Sequence, residues 1–163
     1  MNNTVSIQLV EEIESSLLEH FLYLTIYQRK GEAPPPKSII YEREIFRYIQ
    51  DFGREHDRYL LAEIGGTPVG AVWVRLFPFD APGFGYFNDT TVELAISVEQ
   101  AYRNRGIGTA LLDAMMNLLK EHGYEKVSLS VQKENPAVAL YRRLGFIVLQ
   151  EKGDDYLMVC NLL

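Results

Sequence analysis

The sequence Val98-Glu-Gln-Ala-Tyr-Arg103-Asn-Arg105-Gly106-Ile-Gly108-Thr109 joins a predicted strand to a predicted helix. The first N–H groups of a helix lack internal partners, and the helix dipole adds about half a positive charge there. Glycines at 106 and 108 remove the β-carbons that would keep an anion from these amides, and two arginines add charge. The turn therefore favours a phosphate ligand. The alternative use of the two glycines is close packing of the helix on the strand.

Helices and strands are predicted on both sides of this turn. Downstream, an amphipathic helix over about 106–122 ends at Gly123, and a strand follows at 126–131. Asn135 and Pro136 suit the start of a last helix that Gly145 ends, before two closing strands. Upstream, the patterns predict a strand at 5–10, helices at about 11–30 and 38–52, a hairpin over 59–77, a loop at 77–89 and a strand at 91–98. This order predicts one α/β domain with a mixed sheet over residues 1–163.

Length and composition exclude several classes of protein. The chain has 163 residues, of which 47% are apolar and 23% charged, as in ordinary globular domains. A formal net charge of -6 argues against a nucleic-acid-binding surface. The single cysteine, Cys160, cannot form an intramolecular disulfide, and the sequence shows neither a secretory signal nor an apolar run of about 18 residues. We therefore expect a cytoplasmic protein that neither binds nucleic acid nor spans a membrane.

Two motifs carry a resemblance to a known family. Arg103-x-x-Gly106-x-Gly108 resembles the acyl-CoA pyrophosphate loop of the GNAT superfamily of N-acetyltransferases. The stretch Asn135-Pro-Ala-Val-Ala-Leu-Tyr141-Arg-Arg-Leu-Gly145-Phe146 is similar to that family's other signature, an Asn that opens a helix containing a Tyr and ending in Gly-Phe. The motifs stand about 27 residues apart, with a helix and a strand between them in the expected order. The resemblance covers residues 58–160.

The resemblance implies both a fold and a reaction. The fold is a single GNAT-like α/β (α+β) domain with a mixed, mostly antiparallel sheet of about six or seven strands flanked by about four helices. The reaction is transfer of an acetyl group from acetyl-CoA to a primary amine of a small molecule or peptide, directly within a ternary complex. Nothing in the sequence points to a metal or to covalent catalysis. The alternative is a non-catalytic acyl-CoA-binding or regulatory module of the same fold.

The resemblance also implies which residues bind the cofactor. Free backbone groups of the strand before the loop would hold the pantetheine arm, and the N–H of Val98 would polarise the thioester carbonyl. The pyrophosphate would lie on the amides of residues 104–109. Asn135 has two interpretations, as a helix N-cap or as a partner of the cofactor arm. The implied cofactor-binding residues are Ile96, Ser97, Val98, Arg103, Asn104, Arg105, Gly106, Ile107, Gly108, Thr109, Asn135 and Tyr141.

Two side chains are candidates for proton transfer. Members of the family place a Tyr near the CoA sulfur, and a phenol with an ordinary pKa of ~10 suits protonation of a departing thiolate, so Tyr141 is the predicted general acid. Its alternative role is that of a core aromatic. Glu93 stands where many members carry an acidic residue that acts through water, and it is the predicted base. Its alternative role is that of an exposed strand carboxylate.

The acceptor site in this family usually comes from the first two helices and the loop between the third and fourth strands. Here these are residues 20–57 and 77–89. Their aromatic side chains are candidates for an apolar slot, although aromatics at helical spacing are also typical of a core. They are Phe77, Phe79, Phe84, Tyr86 and Phe87 in the loop, and Tyr23, Tyr27, Tyr41 and Tyr48 in the helices.

The charge of the chain is unevenly distributed. Residues 99–143 hold seven basic and five acidic side chains, a local charge of +2, so the remainder carries -8. This distribution favours a polyanionic cofactor at one end of the site and a cationic amine at the other. A homodimer is common in the family, and the final apolar strand with Leu162-Leu163 is its candidate contact, although an exposed C-terminus would have the same pattern.

Overall fold

Seven strands form one mixed sheet in the computed structural model, which describes residues 4–163. The strand order is β1-β2-β3-β4-β5-β7-β6, and every neighbouring pair is antiparallel except β4 and β5. The strands are β1 Val5–Leu9, β2 Arg58–Ile64, β3 Thr67–Arg75, β4 Val92–Val98, β5 Lys126–Gln132, β6 Ile147–Lys152 and β7 Asp155–Asn161. The predicted sheet, mixed and mostly antiparallel, is confirmed.

In residues 4–163, four α-helices and two 3₁₀ turns flank the sheet, which agrees with the predicted number of about four helices. They are α1 Ser15–Leu24, α2 Arg43–Phe46, α3 Ile107–Glu121 and α4 Ala137–Arg143, with 3₁₀ turns at Lys37–Tyr41 and Gln100–Tyr102. Within residues 4–163, none of these helices has the length and apolar character needed to cross a lipid bilayer.

Each face of the sheet buries its own hydrophobic core. Even-numbered residues of β4, such as Leu94, face the core beneath α3 and α4, which includes Leu111 and Met115. Odd-numbered residues, such as Ala95, face the core beneath α1 and α2, which includes Phe21 and Trp73. Because side chains alternate along a strand, β4 contributes to both cores and stands at the centre of the sheet.

The first predicted helix is too long. The pattern favoured a helix over about 11–30, but α1 is confined to Ser15–Leu24. At its end the hydroxyl of Thr25 donates to the carbonyl of Leu22 at 2.6 Å, and the residues that follow are not helical. A side chain that hydrogen-bonds a nearby carbonyl competes with helix propagation, and apolar spacing alone does not detect that competition.

The second predicted helix, over 38–52, is also wrong. It is replaced by the 3₁₀ turn Lys37–Tyr41 and the single-turn helix α2. The guanidinium of Arg75 on β3 donates to the carbonyls of Arg47 at 2.8 Å and Gln50 at 2.6 Å. Carbonyl groups of this segment therefore accept hydrogen bonds from a distant side chain instead of from the next turn of a helix.

A buried ion pair anchors the same segment to the sheet. Arg75 contacts Asp57 through both Nε and Nη2, at 3.0 and 2.7 Å, and the two side chains are 1% and 2% exposed. Asp57 Oδ2 also accepts the backbone N–H groups of Gly53 and Arg54, each at 2.9 Å. The carboxylate thus receives four donors, which offsets the cost of removing it from water.

Asp57→Asn is expected to lower the free energy of unfolding by about 3–5 kcal/mol, because it leaves the Arg75 guanidinium buried without a negative partner. Urea unfolding at pH 7 measures the change. The matched control is Asp51→Asn, since Asp51 and Arg54 form an exposed pair at 3.9 Å, and it should change the stability by less than about 0.5 kcal/mol. Equal unfolding midpoints for the two variants would contradict the anchoring role.

Candidate active site

The site begins where β4 and β5 separate. Their parallel ladder includes two residue pairs in the described chain, Val92 with Val127 and Glu93 with Ser128. Beyond Glu93, β4 continues to pair with β3 on its other edge, where the N–H of Glu99 donates to the carbonyl of Val69 at 2.8 Å. Peptide groups of successive residues in a strand point to opposite edges. The peptide groups of Ile96 and Val98 therefore face the gap left by β5.

A cleft of about 1100 Å³ occupies this gap. Residues from four places line it: the end of β4, the turn after β4 with the start of α3, α4 with the two residues before it, and the end of α1 with the segment that follows it. Among the predicted cofactor residues, the lining contains Ile96, Ser97, Val98, Arg103, Asn104, Gly106, Ile107, Gly108, Thr109, Asn135 and Tyr141. The structure thus brings together nearly all of the residues that the two sequence motifs predicted.

The start of α3 forms one wall of the cleft. Gly106 stands at the N-cap with φ 82°, a left-handed conformation that favours glycine. A β-carbon at Gly108 would lie 4.0 Å from Val98 Cγ2, so no close packing requires glycine there. A β-carbon at Gly106 would meet no atom within 4 Å, so close packing explains neither glycine, and Gly106 is accounted for by its backbone conformation alone.

The two arginines of the turn differ in position. Arg103 lines the cleft, and its Nε donates to the carbonyl of Val98 at 3.0 Å. Arg105 lies outside the lining, with its guanidinium 5.2 Å from the ring centre of Tyr102. Of the two, Arg103 is therefore placed at the mouth of the cleft.

Tyr141 projects from α4 into the cleft and is 7% exposed. Its ring packs edge to face on Phe146, with the ring centres 5.9 Å apart. Burial disfavours the phenolate and raises the pKa of Tyr141 to about 12. The hydroxyl therefore holds its proton at neutral pH. Tyr141 serves both as a core aromatic and as a cleft residue.

Asn135 also combines its two predicted roles. Its Oδ1 accepts the N–H of Ala137 at 2.9 Å, which caps the first turn of α4. The residue also lines the cleft. Because the capping bond uses the oxygen, the amide nitrogen remains available to a ligand.

Glu93 is not among the residues that line the cleft, and it is not the exposed strand carboxylate that was its alternative. Its carboxyl lies beneath the loop between β3 and β4 and is 3% exposed. Tyr48 Oη donates to Oε2, whereas Oε1 has no hydrogen-bond partner in the described chain. Burial raises the pKa of Glu93 to about 7, although the hydrogen bond from Tyr48, the nearby Gly85 amide and the charge of Lys152 oppose the rise.

The segment after α1 covers part of the cleft, and it lies within the range 20–57 that the family resemblance predicted for the acceptor site; the candidates Tyr23 and Tyr27 are among the lining residues. We call residues 25–36 the strap. Arg29 Nε donates to Glu134 Oε1, and Arg29 Nη2 lies 3.6 Å from Asp154 Oδ2 in the turn between β6 and β7. At the other end, Tyr23 Oη donates to the carbonyl of Pro35 at 2.6 Å. The three consecutive prolines Pro34, Pro35 and Pro36 lie at this end of the strap.

The predicted acceptor side differs from the structure in two respects. First, the aromatic loop at 77–89 does not reach the described lining: Phe77 is buried in the core, and Phe79 and Phe84 are exposed at the surface. Second, no Asp or Glu lies among the described lining residues, although Arg29 and Lys30 do. The acidic surplus of the chain therefore does not line the cleft.

A sheet split between two parallel strands, with a glycine-bearing helix start at the split, defines the fold of the acyl-CoA-dependent acetyltransferases. The model of the Acetyltransferase (GNAT) family matches residues 22–146. The chain therefore belongs to the GNAT family, and it is an acyltransferase.

Individual relatives agree with this family. An N-alpha-acetyltransferase of Sulfurisphaera tokodaii is 38% identical over 132 residues, which cover 71% of this chain and 75% of that protein. A mycothiol acetyltransferase of Corynebacterium aurimucosum is 36% identical over 86 residues, which cover 52% of this chain but 26% of that protein. The crystal structure of a PaiA N-acetyltransferase from Thermoplasma acidophilum in complex with coenzyme A has a TM-score of 0.66 at 19% identity and covers 96% of this chain and 99% of its own.

Glu93→Gln is expected to stabilise the protein at high pH alone. The folded carboxyl keeps its proton up to a pKa of about 7, whereas the unfolded one loses it near 4.5, so the folded state loses roughly 3 kcal/mol as the pH rises between these values. The amide that replaces the carboxyl in the variant does not ionise, so the variant does not lose this stability as the pH rises. Its free energy of unfolding should exceed that of the wild type by up to roughly 3 kcal/mol at pH 8 and should match it near pH 4.

Chemical unfolding at the two pH values measures this difference. The exposed Glu125 provides the control, because Glu125→Gln should change stability equally little at both. A pH-independent effect of Glu93→Gln would show that the carboxyl ionises normally in the folded protein.

Proposed function

We propose that this enzyme transfers an acetyl group from acetyl-CoA to a primary amine by direct transfer in a ternary complex. One observation carries the proposal: the free edge of β4, the glycine-bearing start of α3 and the Tyr141 hydroxyl line a single cleft. Acyl transfer from a thioester needs a binding edge, an anion site and a proton donor. No other cleft described in this chain combines the three.

The donor half of the cleft suits coenzyme A. Peptide groups of Ile96 and Val98 face the gap and are suited to the amide-rich pantetheine arm. The first amides of α3 and the guanidinium of Arg103 suit the pyrophosphate, because both offer positive charge to an anion. Bound acetyl-CoA supplies the thioester from which the acetyl group leaves.

The residues of the chain then divide the proton transfers. The N–H of Val98 donates to the thioester carbonyl oxygen as negative charge develops there. The amine nitrogen forms the new bond to the acetyl carbon while the carbon–sulfur bond breaks, and the Tyr141 hydroxyl gives its proton to the departing thiolate. Glu93 accepts the proton that the amine loses, through water. A pKa of about 7 suits Glu93 to this task at neutral pH.

The acceptor that we propose to test first is the α-amine of a peptide. The relative that is called an N-alpha-acetyltransferase aligns over most of both chains. The mycothiol acetyltransferase aligns over about a quarter of its own length, so it gives weaker support to a small-molecule amine.

Gly108→Trp is expected to raise the Kd for coenzyme A by about tenfold or more, because the new side chain covers amides that would bind a charged phosphate. Titration calorimetry measures the change. Glu121→Trp provides the control, since it places the same side chain on an exposed position at the other end of α3. Normal affinity in Gly108→Trp would mean that the turn does not hold the phosphates.

Tyr141→Phe is expected to lower kcat about a hundredfold, because the departing thiolate loses its proton donor, while the Kd for coenzyme A stays nearly constant. Release of free thiol from acetyl-CoA is followed with a panel of amines: a peptide α-amine, a lysine side chain, a polyamine and an aminoglycoside. The control is Tyr156→Phe, at a tyrosine outside the cleft lining. Tight coenzyme A binding without turnover of any amine would favour the non-catalytic alternative.

A further inference from the structure

Three buried polar side chains lie in a row across the centre of the sheet. Arg75 on β3 is the register partner of Glu93 on β4, and Glu93 is the partner of Ser128 on β5. All three are almost completely buried. They share one face of the sheet, because residues paired in register point to the same side.

The side chains of the two register partners of Glu93, Arg75 and Ser128, form hydrogen bonds with other groups. The Arg75 guanidinium binds Asp57 and two backbone carbonyls. The Ser128 hydroxyl donates to the carbonyl of Gly85 at 2.7 Å. Neither neighbour therefore holds the Glu93 carboxyl, and within residues 4–163 its side-chain hydrogen-bond partner is Tyr48.

Tyr48 is fixed on several sides. Its backbone carbonyl accepts the indole N–H of Trp73 at 3.1 Å, and its ring meets that of Phe77 edge to face at 4.9 Å. Its hydroxyl donates to Glu93 Oε2 and accepts the N–H of Phe84 at 2.8 Å. Burial and the nearby carboxylate raise the pKa of Tyr48 well above its usual value, so the phenol keeps the proton that it donates.

The loop segment that covers Glu93 can pass there because it contains glycine. A β-carbon on Gly83 would come within 2.3 Å of Glu93 Oε1 and 2.8 Å of Tyr48 Oη. A β-carbon on Gly85 would come within 2.6 Å of the carbonyl carbon of Leu129 and 3.0 Å of Glu93 Cδ. Residues 83–85 therefore lie directly on the carboxyl.

We propose that Tyr48 is a positioning residue, which fixes the orientation of the Glu93 carboxyl and holds residues 83–85 over it. The inference rests on the proposed function, in which Glu93 receives the proton of the amine. Because the Tyr48 hydroxyl donates to Oε2, Oε1 is the carboxyl oxygen without a hydrogen-bond partner in the described chain. The bond from the Phe84 N–H joins the same hydroxyl to residues 83–85, so Tyr48 both orients the carboxyl and holds the segment that covers it.

Tyr48→Phe tests the proposal, because it removes the hydroxyl and keeps the ring. The pKa of Glu93 is read directly by carbon NMR of the labelled side-chain carboxyl in the protein without ligand, and Glu93→Gln assigns the resonance. Without the bond to its ionised form, the Glu93 pKa should rise by about 1 pH unit. The rising limb of the pH profile of kcat/KM should move by the same amount in the same direction.

Tyr59→Phe is the matched control. Tyr59 is buried in the same hydrophobic core, and its hydroxyl has no hydrogen-bond partner in the described chain. Its loss should leave both the Glu93 pKa and the pH profile unchanged. The charges of Lys152 and of the Arg75–Asp57 pair are the same in both variants, so they cancel in the comparison.

The outcomes separate this inference from the proposed function. An unchanged Glu93 pKa in Tyr48→Phe overturns the positioning role and leaves the function intact. If Glu93→Gln keeps full activity and an unaltered pH profile, Glu93 is not the base. That result would overturn both this part of the proposed function and the positioning role of Tyr48. If Tyr48→Phe does not fold, 3-fluorotyrosine at position 48 replaces it. That more acidic phenol donates more strongly, and it should lower the Glu93 pKa if the inference is right and leave it unchanged if it is wrong.

Discussion

The parallel ladder between β4 and β5 stops after two residue pairs, and the site depends on this early end. In a continuous sheet the peptide groups of Ile96 and Val98 would bond to β5. Here they face a cleft instead, at a cost that a ligand rich in amides and phosphates can recover. The antiparallel pairing of β4 with β3 continues through Val98 and supports the edge that faces the cleft. Of the polar groups on that edge, the Val98 carbonyl accepts Arg103 Nε, and the N–H groups of Ile96 and Val98 face the cleft.

Two buried carboxyls on the same face of the sheet differ in how fully their hydrogen bonds are satisfied. Asp57 receives four donors and a full positive charge, so it is satisfied and serves as an anchor. Glu93 stands opposite the same arginine in register but receives one side-chain hydrogen bond, and one of its oxygens has no partner in the described chain. The sheet therefore holds a carboxyl with a pKa of about 7 beside a buried arginine. This is possible because the Arg75 guanidinium binds the carboxylate of Asp57 instead.

The sequence was informative where structure is decided locally. Glycines and caps predicted both ends of α3 and the end of α4, and eleven of the twelve residues predicted to bind a cofactor line the cleft. The sequence patterns did not predict structure that depends on contacts between residues far apart in the chain. Tyr48 and Glu93 are 45 positions apart, and Arg29 and Glu134 are 105 apart. The prediction of the second helix was wrong for the same reason, because Arg75, which donates to carbonyls of that segment, lies on β3. Apolar periodicity over a short stretch of sequence does not report which distant side chains will form hydrogen bonds.

The contact between Gly85 and β5 has a further consequence. At the point where the strands separate, main chain rests against main chain, with no side chain between the loop and the peptide that joins Leu129 to Ser130. Backbone is far less deformable than a rotatable side chain. Substitution of a side chain therefore alters the separation of β4 and β5 little at this point. Changes to the side chains of the strap can reshape one wall of the cleft and leave the split in the sheet where it is.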